Sequence, residues 1–174
     1  MWKKLSSKEI FNHPRLTLIE DEVLLPSGIK TTYLRFKDSA DCSVTIIAKR
    51  PDGKILLQRE YSYPPDKYLL QFPGGDVVAG ESPEIGANRE LAEEMGLKGN
   101  TLKLLGSYLM SNRRSAKMMH VYVATDLKEF SLDADPEEDI EALWFDEAEI
   151  ADMIKCREII NAHTLASWGM YRSQ

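Results

Sequence analysis

The sequence predicts an α+β fold, with strands dominating the first three-quarters and helices interspersed. Three observations carry this. Short apolar runs bounded by Pro, Gly and Asp turn residues recur over residues 16–72. A well-capped amphipathic helix opens after Ser82 and closes at Gly96. Further strand-like runs over 102–110, 117–125 and 140–145 precede two C-terminal helices.

The elements follow in order. Residues 1–15 are mixed in character and are expected to be peripheral. Residues 16–25 and 29–36 read as two strands joined by the turn Pro26-Ser27-Gly28, an N-terminal hairpin. Residues 42–48 form a short buried-type strand. The turn Arg50-Pro51-Asp52-Gly53 links it to a partner strand over 54–60, because Pro and Asp-Gly favour a reversal. Residues 61–66 form a loop, since two prolines forbid a helix, and residues 68–72 form a strand ending at Pro73-Gly74-Gly75. Ser82 is a good N-cap, Pro83 fits the first helical position, Glu84 suits the positive end of the dipole, and Gly96 closes the helix. Residues 126–139 read as a long acidic loop. Asp146 caps a helix running to about residue 154, and a last helix spans 158–171. Residues 1–40 are expected to form an N-terminal hairpin extension and 41–174 the main domain.

The 174 residues suffice for a real hydrophobic core. Apolar residues at 43% and charged residues at 29% are ordinary for a soluble globular protein. A net charge of −6 argues against broad nucleic-acid binding. A nucleotide remains compatible, because a few Arg or Lys residues and a divalent metal hold phosphates. Cys42 and Cys156, far apart, are expected to be reduced thiols. There is no signal-type apolar region at the start and no run of membrane-spanning length, so the expectation is a cytoplasmic protein without a membrane partner.

The helix after Ser82 carries the chemistry. At roughly 100° per residue, Glu90 and Glu94 share a face with Glu93 beside them. Ile85, Leu91, Ala92 and Met95 fall on the other side and can pack on the sheet. Arg89 lies one turn before Glu93 and can pair with it. Three carboxylates in the last two turns face the negative end of the dipole and repel one another. One arginine cannot neutralise three glutamates. A divalent cation can, and carboxylate oxygens suit Mg²⁺ or Mn²⁺; a solvated acidic face is the bland alternative. Gly74-Gly75 permits close backbone approach and lets a carbonyl act as a further oxygen ligand.

Gly75, Glu81, Arg89, Glu90, Leu91, Glu93, Glu94, Gly96 and Leu97 match, without a departure, the signature G-x5-E-x7-R-E-U-x-E-E-x-G-U, with U aliphatic. In this the chain resembles the Nudix hydrolase family. The resemblance implies an α/β/α sandwich around a mixed β-sheet and metal-assisted hydrolysis of a nucleoside diphosphate linked to another moiety. It implies Glu90 and Glu94 as main metal ligands, Glu93 as a further ligand directly or through water, and the Gly74 carbonyl completing the shell. Arg89 would orient the glutamates and Glu81 would support the loop–helix geometry. Two or three Mg²⁺ ions, or Mn²⁺, are the implied cofactors. They invert the sign of a carboxylate site that would otherwise repel a pyrophosphate. The attacking water needs a base. Glu138 in the acidic loop is the first choice, with Glu137, Asp139 and Glu141 as rivals; a solvated loop is the alternative for each.

Outside the signature, Leu57-Gln58-Arg59-Glu60-Tyr61 followed by Tyr63-Pro64 resembles the R-Q-Y-R segment of the ADP-ribose and nucleoside-diphosphate-sugar branch. Leu70 to Gly75 resembles that branch's E-L-P-A-G, with Gln71 for the usual Glu and Gly74 for Ala. Asn112 stands where ADP-ribose hydrolases commonly carry proline. Arg113 and Arg114 beside it read either as a phosphate clamp or as solvated loop residues. Arg59 either reaches a substrate phosphate or pairs with a nearby acid. Arg59, Glu60, Tyr63, Arg113 and Arg114 are thus the candidate substrate contacts, and Tyr33, Tyr61 and Tyr68 either stack on a base or pack at the edge. His120 reads as a satisfied core histidine, and Trp144 and Trp168 as core. The implied activity is hydrolysis of ADP-ribose to AMP and ribose 5-phosphate. Other NDP-sugars such as GDP-mannose, dinucleoside polyphosphates or NTPs, and a non-catalytic nucleotide-binding regulator, are the alternatives. The hairpin implies a homodimer, since relatives use such segments to complete each other's base pocket.

Overall fold

A computed structural model describes residues 1–133 and 139–174, and the chain resolves into two compact units. The first comprises Met1–Asp41 and Leu109–Met118; the second comprises Cys42–Tyr108 and Met119–Gln174.

The first unit holds a three-stranded antiparallel sheet, β1 (Lys3–His13), β2 (Leu16–Leu24) and β3 (Lys30–Phe36), in that spatial order. The expected hairpin is β2–β3, registered from Leu18↔Phe36 to Leu24↔Lys30. Gly28 takes a left-handed φ of 84° in its turn, and its N–H donates to the Leu25 carbonyl at 2.9 Å. β1 corrects the expectation of a merely peripheral start. Its sequence, KKLSSKEIFNH, lacks an alternating pattern because every residue in it is exposed, and it becomes a strand by pairing with β2. On β2, Asp21 is buried among strand neighbours and accepts from Arg35 Nε at 2.7 Å and from the Ser7 hydroxyl. Those hydrogen bonds, Arg35 first, hold its carboxyl below the usual carboxylate range. The loop Ser111–Ser115 docks on β3: Phe36 N–H donates to the Arg114 carbonyl at 2.7 Å.

The second unit contains two three-stranded sheets. One is ordered β4 (Cys42–Ala48), β8 (Met118–Glu129) and β7 (Leu97–Leu109); the other is ordered β6 (Lys67–Gln71), β5 (Ile55–Ser62) and β9 (Ile140–Phe145). β5 runs antiparallel to both its neighbours. The hairpin expected between residues 42–48 and 54–60 is therefore not formed. The Arg50–Gly53 turn is present, with Gly53 N–H donating to the Arg50 carbonyl at 3.0 Å, but β4 and β5 belong to different sheets and meet beside the turn at the isolated bridge Lys49↔Ile55. A tight turn dictates a reversal and says nothing of which sheet each strand joins.

Helices cover both faces, as the α/β/α resemblance implied. Val44, Ile46 and Ala48 of β4, with Leu56 of β5, pack on Ala87 and Leu91 of α1 (Pro83–Met95). Ile47, Ile55 and Leu57 face the other way, onto Ile150 of α2 (Glu147–Lys155) and Trp168 of α3 (Ala162–Arg172). That alternation follows from the two-residue period of a strand. Full burial of a side chain such as Leu91 contributes about 1.5–3 kcal/mol. α1 has the predicted ends: the Ser82 hydroxyl accepts from Ile85 N–H at 3.3 Å, and Gly96 takes φ 65°. Ile85 itself is 61% exposed, because it sits on the first turn and the buried stretch begins only at Gly86. α3 starts at the Asn161 cap, later than residue 158. His120 is hydrogen-bonded, to Ser107 at 2.6 Å, but half-buried rather than in the core. Trp168 is buried, whereas Trp144 is half-buried with Arg50 stacked 5.1 Å from its ring. Among the described residues neither Cys42 nor Cys156 is in a disulfide, and no helix is long and apolar enough to cross a membrane.

Candidate active site

Arg89 is the hub of the signature residues. Its Nη1 donates to Glu90 Oε1 at 2.8 Å and to Glu93 Oε2 at 2.7 Å. Its Nε lies 3.2 Å from Glu81 Oε1, and Nη2 reaches the Asp76 carbonyl at 2.8 Å. The expected Arg89–Glu93 pair is thus formed, and it is one arm of a wider splint. Burial works against the Arg89 charge. The hydrogen bonds to Glu81 and Glu90 outweigh it, so the guanidinium pKa stands above its ordinary value. Glu81 also closes its own loop. Its carboxylate accepts from Val78 N–H at 3.1 Å while its N–H donates to the Val78 carbonyl at 3.0 Å.

The two glycines bring the loop against the helix. Val44 and Ile46 N–H donate to the Gly75 and Pro73 carbonyls, both at 2.9 Å, which ties the loop to β4. Gly74 N–H is turned the other way and donates to Glu94 Oε2 at 2.9 Å. Gly74 has φ 151°, and a Cβ there would stand 2.1 Å from the Val44 carbonyl oxygen. A Cβ on Gly75 would stand 2.6 Å from the Glu90 carboxylate. The absent side chain is what leaves Glu90 its place.

The carboxylates of Glu81, Glu90, Glu93 and Glu94 against one guanidinium leave this cluster net negative. Its oxygen-only donor set is the chemistry that hard divalent cations take. Among the described residues no three His, Cys, Asp or Glu side chains gather on one point; the glutamates are spread around Arg89 and Gly74.

Beyond the signature, the strand period separates two neighbours. Glu60 faces the α1 side of β5. Its Oε2 accepts from Gln58 Nε2 at 3.1 Å and from the Gln71 amide. Arg59 faces the opposite side, with its guanidinium 3.9 Å from the Tyr68 ring centroid and 3.4 Å from Glu141 Oε2. Tyr63 is 83% exposed at the β5–β6 turn. Arg113 and Arg114 belong to the first unit. The Arg113 carbonyl accepts from Tyr33 OH at 2.6 Å, and the Arg114 guanidinium lies 5.8 Å from the Tyr33 ring. Glu138 and its rival Glu137 lie outside the described residues. Asp139 accepts from Tyr68 OH at 2.9 Å.

Sequence reasoning passed over Gln58 and Asn161. Gln58 is 1% exposed on β5, and its Nε2 lies 3.5 Å from Glu94 Oε1. The available signal was a polar residue closing the apolar run Ile55-Leu56-Leu57.

Comparison with known proteins places this geometry in a family. Residues 41–167 match the family model of the NUDIX domain. ADP-ribose pyrophosphatase of Bacillus subtilis (strain 168) is 26% identical over 164 residues, covering 93% of this chain and 88% of that protein. Methanol dehydrogenase activator of Bacillus methanolicus is 30% identical over 167 residues, covering 94% and 88%. The crystal structure of an ADP compounds hydrolase superposes with a TM-score of 0.91 at 26% identity, over 99% of this chain and 92% of that one. With the signature complete and its Arg89, Glu90, Glu93 and Glu94 held on α1, the chain belongs to the NUDIX family.

Proposed function

We propose that this protein hydrolyses the pyrophosphate bond of a nucleoside-diphosphate sugar, with ADP-ribose as the leading substrate and AMP and ribose 5-phosphate as products. The observation that carries this reading is the intact carboxylate cluster splinted by Arg89 on α1. The names of the relatives, an ADP-ribose pyrophosphatase and an ADP compounds hydrolase, support the substrate class.

Glu90, Glu93, Glu94 and the Gly74 carbonyl are the residues that would hold a divalent cation, Mg²⁺ or Mn²⁺. Such a cation supplies charge neutralisation at the pyrophosphate and Lewis acidity. The chain's own contribution is positional. Arg89 holds Glu90 and Glu93 at fixed spacing, and Glu81 locks the preceding loop to that guanidinium. Glu138 is assigned as the base that takes the proton of the attacking water. Arg59, Glu60, Tyr63, Arg113 and Arg114 are assigned to substrate. A homodimer and a cytoplasmic location complete the reading. Two thiols outside any disulfide suit a reducing compartment.

The test is a turnover screen with Mg²⁺ against ADP-ribose, GDP-mannose, dinucleoside polyphosphates and NTPs, with products identified. AMP with ribose 5-phosphate is the expected outcome. Cleavage of NTPs alone would move the substrate to another class. Glu94→Gln is expected to lower turnover at least about 100-fold, the upper end of what loss of an outer-shell partner costs a metal site. Unchanged turnover in that variant removes the assigned ligand. The activator relative raises a second reading, a regulator that binds nucleotide without cleaving it; binding of ADP-ribose without turnover at saturating Mg²⁺ would select it.

A further inference from the structure

Outside the signature, a run of side-chain amides leads from Glu94 to the start of α3. Gln58 Nε2 lies 3.1 Å from Glu60 Oε2 and 3.5 Å from Glu94 Oε1. Glu60 Oε2 also accepts from Gln71 Nε2, and Gln71 Oε1 accepts from Asn161 Nδ2 at 2.9 Å. Asn161 Oδ1 caps α3 through Thr164 N–H at 3.0 Å, and the Thr164 hydroxyl accepts from Phe72 N–H at 3.2 Å.

We propose that Gln58 is a positioning residue that aims the Glu94 carboxylate by holding its amide between Glu94 and Glu60. This rests on the reading of Glu94 as a metal-site carboxylate. Carboxylates only accept, so both Glu60 and Glu94 must meet the NH₂ end of Gln58, which fixes the orientation of the carboxamide. The consequence is visible at the other end. Gln58 Oε1 is buried with no hydrogen-bond partner among the described residues. A buried unpaired acceptor disfavours the fold, and an apolar residue of similar length on the same face of β5 as Leu56 would remove that cost. The carbonyl end thus works against stability, whereas the amide end has a task. A neutral donor orders Glu94 without adding a positive charge to the site. Arg89, on Glu90 and Glu93, cannot do that. The Gln71–Asn161 arm ties Glu60 to α3, so the support for Glu94 extends through the second unit.

The experiment measures Mn²⁺ affinity by electron paramagnetic resonance, and the thermal midpoint without metal, for the full chain and for Gln58→Met, Gln58→Leu and Glu94→Gln. The expected result is Mn²⁺ binding weakened about 10-fold or more in Gln58→Met, in the range for loss of an outer-shell partner, with a midpoint unchanged or raised. Gln58→Leu, which is branched, guards against a packing artefact of the methionine. Wild-type Mn²⁺ affinity in both Gln58 variants overturns the proposal, while a loss in Glu94→Gln would leave the metal site standing. A midpoint that falls in step with affinity in both variants also overturns it and makes Gln58 a structural residue. A folded wild type that binds no Mn²⁺ overturns this inference together with the metal reading it rests on.

Discussion

Gly74 and Gly75 are adjacent, and the structure asks different things of them. At Gly74 the backbone itself is at issue, because φ 151° is one that side-chain-bearing residues rarely adopt and a Cβ would meet the Val44 carbonyl at 2.1 Å. At Gly75 the obstacle is the far end of the Glu90 side chain, 2.6 Å away, which can swing aside. Gly74→Ala should therefore destabilise the fold, by at least about 1–3 kcal/mol given the strain of such a φ. Gly75→Ala should keep its thermal midpoint within a few degrees and lose most of its turnover, because Glu90 is displaced from Arg89. Thermal melts paired with ADP-ribose turnover check both, and equal losses of stability would contradict the distinction. This scale was partly legible in advance. The signature spacing pointed to Glu81, Glu90 and Glu93, which the structure gathers on Arg89, since the interval fixes which side chains share a helix face. Gln58 was not legible, because a glutamine opening the polar run Gln58-Arg59-Glu60 carries no local marker of the partner it will meet on another element.

Elements were legible where their ends are chemically marked. α1 lies where Ser82, Pro83 and Gly96 put it, because caps act within a turn of the residues they satisfy. β1 was missed because pairing with β2, and not side-chain burial, makes it a strand. The Arg50–Gly53 turn does not make β4 and β5 a hairpin, because a local reversal does not decide which sheet each strand joins. A different tie links α2, α3 and the chain after β4. The Glu147 carboxylate accepts from Lys49 Nζ at 2.9 Å, Tyr171 OH at 2.6 Å and Arg172 Nη1 at 2.6 Å. The hydrogen bonds from Tyr171 and Lys49 hold the Glu147 pKa below its ordinary value. A depressed acid contributes stability above its unfolded pKa of about 4.3, and that contribution is lost as pH falls through the lower folded value. Glu147→Gln should thus cost about 1 kcal/mol at pH 7, a modest figure because the group is about a third exposed. The deficit should shrink towards pH 3. Denaturant titrations at the two pH values check this, and a deficit that is constant with pH would remove Glu147 from the acid response.

For the molecule as a whole, one boundary between units falls where the polar run 37–41 gives way to the buried strand β4. The return of Leu109–Met118 to the first unit was not visible, because the contacts that place it are made to β3 across a long sequence interval. The first unit has an unusual surface. Every residue of β1 is exposed, and Trp2, Leu5, Ile10 and Phe11 present apolar area along or beside it. β1 is also an edge strand, with β2 as its neighbour in the sheet order β1-β2-β3. A long edge with apolar side chains invites pairing, and monomers blunt such edges with charge or cover. β1 does carry Lys3, Lys4 and Lys8, which suits a partner of net charge −6 such as a second copy of this chain. The expected outcome of sedimentation equilibrium at micromolar concentration is a dimer of the 19.8 kDa chain. Changing Ile10 and Phe11 together to aspartate should yield the monomer. The substitutions lie on an exposed strand, so secondary structure in the second unit should persist. If the partner completes the substrate pocket, the monomer should also show a raised KM for ADP-ribose with a smaller change in kcat, because binding contacts would be lost while the α1 cluster stays intact. A wild type that sediments as a monomer would leave this apolar edge without its assigned occupant.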